Sequence, residues 1–91
     1  MTRATNLDRL RLDAHVGAHI KARRKELGQT QWALADLIGM SWQQLQKYER
    51  GINRISVSLL HDIAKAQGVE IGHYVAGFEA EASAAPHLVA A

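Results

Sequence analysis

Glycine punctuates this chain. Gly28, Gly39, Gly51 and Gly68 each close a stretch whose apolar residues recur at helical spacing, and Thr30, Ser41 and Ser56 follow the first three. A glycine just past the last periodic residue stops a helix, and a Ser or Thr starts the next by accepting a free amide of its first turn. No stretch alternates polar and apolar residues long enough for a strand, and β-branched residues are scattered. The predicted fold class is therefore all-α, a compact bundle of about five short helices.

Leu12, Val16, Ile20 and Leu27 fall near one side at about 100° per residue, which predicts a first helix over 13–27 with Asp13 as its cap. Thr30 caps a second over 31–38 that carries Leu34, Leu37 and Ile38 and is stopped by Gly39. Ser41-Trp42-Gln43-Gln44 fits a capping box and opens a third helix that runs to about Arg50. Ser56 caps a fourth over 57–67, and a short fifth is predicted near 71–78. Residues 1–12 read as an N-terminal arm, 13–78 as one domain, and Ala-rich 79–91, with Pro86, as a flexible tail.

Composition narrows the function classes. Ninety-one residues, 47% of them hydrophobic and 22% charged, suit one small globular domain with a thin core. The absence of cysteine excludes disulfides, thiol catalysis and thiolate zinc sites. No apolar run approaches the ~18 residues of a membrane span, and the first residues show no signal-peptide core, so a cytoplasmic protein is expected. There is no nucleophile elbow, phosphate-cradling loop or carboxylate pair in an apolar setting, so catalysis and cofactors are not expected. His15 and His19 have metal-ligand spacing, but no third ligand accompanies them and no metal is expected; His61, His73 and His87 read as isolated.

Charge is unevenly placed. Residues 1–54 hold ten Lys/Arg against five acids, and 55–91 hold one base, Lys65, against four acids. A basic body suits an anionic polymer. Lys21, Arg23 and Lys25 are expected to be a solvated face. On the third helix, with Leu45 inward, Glu49 lies about 40° and Tyr48 about 60° away, whereas Gln43, Lys47 and Arg50 point outward at roughly 140–200°, with Gln44 and Gln46 beside them. No acid occupies that outward side. Glutamine can pair with adenine in bidentate fashion, and Lys can reach guanine or a phosphate. Only Gly39-Met40-Ser41 separates this helix from the one before, the spacing of a helix-turn-helix.

Residues 17–76 resemble the lambda repressor/Cro-type (XRE) helix-turn-helix family. The matching residues are Ile20 and Arg24, Leu27-Gly28, Gln31, Leu34-Ala35, Gly39-Met40-Ser41, Leu45, Tyr48-Glu49-Arg50-Gly51, Leu60, Ile63-Ala64 and Gly68-Val69. The resemblance implies a homodimeric transcriptional regulator, a repressor by expectation, that lays its third helix in the major groove of a near-palindromic operator. It implies base contacts from Trp42, Gln43 and Lys47, with Gln44 and Gln46 as flanking candidates. It places Gln31 on a phosphate and bracing the third helix. Asn53 and Arg54 fall at DNA-backbone positions, with outward Arg50 beside them. Arg24 and Glu49 match an internal ion pair, although helical spacing alone puts Arg23 nearer the apolar stripe. Trp42 replaces a smaller polar residue and has two readings, against DNA or packed inward. Trp32 is expected to wedge between the second and third helices. Dimerisation is assigned to Val69, Ile71, Tyr74, Val75 and Phe78. An antitoxin that binds a toxin partner and represses its own operon is the alternative.

Overall fold

The computed structural model describes residues 5–78. Among them are four α-helices, α1 (Asn6–Glu26), α2 (Gln31–Leu37), α3 (Trp42–Glu49) and α4 (Val57–Gln67), followed by a 3-10 turn at Ile71–Tyr74. The described residues contain no strand. Hydroxyl caps set three of the starts. Thr30 Oγ1 accepts from the Ala33 amide at 3.0 Å, Ser41 Oγ from Gln44 at 3.1 Å, and Ser56 Oγ from Leu59 at 3.1 Å. Gly39 takes a φ of 71°, a left-handed conformation that lets α2 stop and α3 leave in a new direction within a few residues.

The first helix starts earlier than its apolar spacing suggests. Residues 6–12, expected to be an arm, form its first two turns. Thr5 and Asp8 make a reciprocal capping box: the Asp8 amide donates to Thr5 Oγ1 at 3.1 Å, and the Thr5 amide donates to Asp8 Oδ2 at 3.0 Å. Asp13 is therefore no cap but a mid-helix side chain. Leu7 and Leu10 are exposed, so no inward stripe marked these turns; the cap alone did. Leu27, expected in the stripe, is the exposed C-cap of α1. Residues 79–91, expected to be a tail, lie outside the described residues.

The core gathers Val16 and Ile20 from α1, Leu34 and Ala35 from α2, Leu45 from α3, Ile63 and Ala64 from α4, and Tyr74. At about 25 cal/mol per Å2 of apolar surface, eight such side chains stabilise a thin bundle without excess. Two polar side chains at its centre satisfy each other. Tyr74 Oη donates to Gln67 Oε1 at 2.7 Å, and Gln67 Nε2 donates to the Ile20 carbonyl at 3.1 Å. Burial pushes the Tyr74 phenol up to about 12, against the opposing pull of the Arg23 cation. The expected fifth helix is only the 3-10 turn with a loop after it. Gly72 and Gly77, both poor helix formers, fall within that stretch.

The expected dimer surface is altered by the same packing. Tyr74 is sealed in this chain's own core, and Val69 and Ile71 pack against it. Phe78 is half-buried with its ring edge-on to His15 at 5.4 Å; Val75 is exposed.

Candidate nucleic-acid interface

Two glycines decide how α3 sits on the body. A Cβ at Gly17 would lie 2.5 Å from the Glu49 carbonyl oxygen and closer still to that of Tyr48. A Cβ at Gly51 would lie 2.8 Å from Ala14 Cα. The C-terminal end of α3 thus rests directly on α1, backbone against backbone. Gly17 was not singled out from the sequence; an isolated glycine inside a helical pattern was the available signal.

One buried carboxylate ties three helices together. Arg24 Nε and Nη2 on α1 donate to Glu49 Oε2 and Oε1 at 2.8 and 3.1 Å. Gln31 Nε2, at the start of α2, donates to Glu49 Oε1 at 3.1 Å. Arg24 Nη1 also donates to the Gln29 carbonyl at 2.9 Å. The Arg24 and Glu49 side chains are 10% and 1% exposed, so each depends on the other to neutralise its buried charge. The forked guanidinium matches both carboxylate oxygens, which fixes the rotation of α3 about its axis.

That rotation leaves a face without acid. Leu45 and Glu49 point inward, whereas Trp42, Gln43, Gln44, Lys47 and Arg50 are exposed and Gln46 is half-buried. Trp42 keeps 41% of its surface, so it is not packed away. Gln44 leaves the expected capping box open on its side, with only Ser41 capping. Beyond Gly51 the chain folds back, and the Ile52 and Asn53 amides donate to the Lys47 carbonyl at 2.9 and 3.5 Å. Asn53 is half-buried there. Exposed Arg54 donates from Nε to Asp13 Oδ2 at 3.1 Å, so it begins as one member of an ion pair.

Three expectations are corrected. Trp32 is not wedged between α2 and α3: it is 66% exposed. Leu34 and Ala35 already fill the inner side of α2, and the Gln31 bond to Glu49 fixes its rotation, so position 32 turns outward. Arg23 is not a solvated cation. It is half-buried, donates from Nε to the Gln67 carbonyl at 3.0 Å, and so caps the end of α4. His73 is not isolated, since its ring lies 6.0 Å from that of His19. His15, buried, donates from Nε2 to the Ala76 carbonyl, and His19 donates from Nδ1 to the His15 carbonyl, both at 2.9 Å. These bonds tie the segment after the 3-10 turn to α1. Among the described residues no group of three or more His, Asp or Glu is placed to hold a metal ion.

Comparison with known proteins gives a consistent set. A family model described as helix-turn-helix matches residues 20–73. An uncharacterized transcriptional regulator in the ATPase CF(0) region of Rhodospirillum rubrum is 53% identical over 68 residues, covering 75% of this chain and 63% of that protein. The HTH-type transcriptional regulator y4wC of Sinorhizobium fredii is 43% identical over 63 residues, covering 69% of this chain and 44% of that one. The match thus spans between 44% and 63% of the length of these two relatives. Among solved structures, the clp gene regulator ClgR of Corynebacterium glutamicum is similar at a TM-score of 0.73 and 28% identity, covering 86% of each chain.

Proposed function

This chain belongs to the helix-turn-helix family, and from that premise we propose that it is a transcriptional regulator that binds double-stranded DNA through α3. One observation carries the proposal: the outward side of α3 presents Gln43, Gln44 and Lys47 with no acid among them, while the helix's single carboxylate, Glu49, is turned inward and neutralised. An acid on that side would meet phosphates; amides and an ammonium meet base edges and phosphates favourably.

Roles follow from position. Trp42, Gln43 and Lys47 reach bases, with Gln44 and Gln46 beside them. Gln31, Arg50, Asn53 and Arg54 touch the backbone. Gln31 still has an amide hydrogen and its carbonyl beyond its bond to Glu49. Arg54 has further N–H groups beyond its bond to Asp13. Arg24 and Glu49 hold the frame. The reading takes the protein as a homodimer, because one α3 reads one half-site and two copies set about 34 Å apart would read a near-palindrome, and as a repressor, as the family resemblance implies. The reading puts the protein in the cytoplasm with its DNA; no described helix is long and apolar enough to cross a membrane. The relatives reported above are named as regulators, which gives an antitoxin role no support.

Selection from a random pool of DNA duplexes tests the proposal. The expected product is an enriched motif with two-fold symmetry and half-sites one turn apart. Binding of the enriched duplex should weaken steeply with salt. A pool that stays random after repeated rounds in dilute buffer refutes DNA reading by α3. An enriched motif without symmetry refutes the dimer.

A further inference from the structure

We infer that Trp32 is a DNA-backbone anchor: its indole, exposed on the first turn of α2, rests on the sugar–phosphate chain flanking the groove that α3 enters. The inference deepens the proposed function and rests on it.

Three observations place the side chain there. The preceding residue, Gln31, donates to Glu49 in the last turn of α3. Trp32 follows Gln31 directly in the first turn of α2, the turn that this bond ties to the end of α3, where Arg50 is exposed. Its indole is 66% exposed, far more than a tryptophan kept for packing. On a helical wheel it lies about 140° around α2 from Leu37, and Leu37 borders the depression shared with Asp62, Lys65 and Ala66 of α4. Trp32 is therefore turned away from α4, on the opposite flank of α2.

The chemistry of the position favours a nucleic-acid backbone over a protein. One turn on from Trp32 along that flank of α2 is exposed Asp36, and a charge so close is a poor setting for an apolar protein contact. An indole offers a flat apolar face for a deoxyribose and one N–H for a phosphate oxygen. It carries no charge, so its contribution differs in kind from that of Arg or Lys. The Asp36 carboxylate repels phosphates and restricts contact to the first turn of α2.

The test compares the full chain with Trp32→Ala and Trp32→Phe on two duplexes, the selected site and an unrelated sequence, over a series of salt concentrations. The expected result for Trp32→Ala is a loss of roughly three- to tenfold on both duplexes, the size of one neutral hydrogen bond. The slope of log affinity against log salt stays as in the parent, because no cation is removed. Base preference also stays, because no base edge is read. Trp32→Phe should recover part of the loss through the ring face. Melting temperature should not move. Parent-like affinity of Trp32→Ala overturns the inference, as does a loss confined to the selected site, or a drop in melting temperature. A parent protein that binds neither duplex overturns the DNA reading itself, which keeps the two failures apart.

Discussion

Replacing Gly17 with alanine should damage this protein, although the same change inside an ordinary helix helps it. Gly→Ala in a helix interior is worth up to about 1 kcal/mol of added stability. Here the new methyl carbon would lie 2.5 Å from the Glu49 carbonyl oxygen, and ordinary contact begins at 3.4 Å. The carbonyl would have to retreat by roughly 0.9 Å, and that of Tyr48 by slightly more. Both are backbone atoms, so no rotamer change relieves them. Glu49 is also held by Arg24 and Gln31, so α3 cannot slide away without stretching those bonds. Overpacking of this kind costs about 1–3 kcal/mol, which exceeds the propensity gain. For a domain of this size each kcal/mol moves the melting temperature by about 4–8 °C. Gly17→Ala should therefore melt lower, by up to roughly 15 °C at the upper end of that cost, measured by circular dichroism, and bind the selected duplex more weakly because α3 is displaced. Gly72→Ala is the control: nothing lies within 4 Å of its added carbon, and it should change little. A Gly17→Ala protein that melts at or above the parent and binds DNA equally well would refute the backbone-on-backbone contact.

Other expectations use the same variants and assays. Glu49→Ala strands the Arg24 guanidinium in the interior and should destabilise by about 3–5 kcal/mol in chemical denaturation; an unchanged midpoint would mean the pair adds nothing. Tyr74 is held protonated in the fold to about pH 12 but ionises near 10 when unfolded. Its burial is thus harmless below pH 10, and stability falls as pH rises from 10 to about 12, by roughly 3 kcal/mol in full. Tyr74→Phe loses the bond to Gln67 at neutral pH yet should lose less between pH 10 and 12, so a constant gap between the two proteins across that window would contradict the assignment. Lys47→Ala should weaken binding and relax preference at one operator position; equal affinity for all duplexes before and after would remove Lys47 from the interface. Arg54→Ala, whose pair with Asp13 is open to solvent on the Arg54 side and worth less than about 1 kcal/mol, should lower melting by at most a few degrees but lower the salt slope by about one.

Local chemistry made much of the fold legible. The boundaries of α2, α3 and α4 are written in Thr30, Ser41 and Ser56 and in the glycines that follow each helix, because a cap satisfies orphan amides wherever the rest of the chain goes. The start of α1 escapes the apolar spacing because that spacing marks only the buried part of a helix: Leu7 and Leu10 are exposed, and Leu12 is the first leucine to meet the core. Trp32 was misread for the opposite reason. Size and apolarity suggested packing, but the inner side of α2 was already taken by Leu34 and Ala35. Tyr74 is expected at an interface because the segment after Gly68 is more apolar than a thin core needs, yet its hydroxyl finds Gln67 inside once α4 and the 3-10 turn are brought together. The outward residues of α3 were readable from a wheel. The seat beneath them was not, since Gly17 acts through a side chain it lacks.

The carboxylate of Glu49 separates two jobs along one eight-residue helix. Its inner half, Leu45 and Glu49, answers to α1 and α2 and leaves little latitude for change. The exposed half, Trp42, Gln43, Gln44 and Lys47, is not part of the buried core. Transplanting those four side chains from another reader of DNA should redirect the protein to a different sequence while its melting curve stays where it was. A scaffold arranged in this way keeps its address label and its fastening on opposite sides of the same rod.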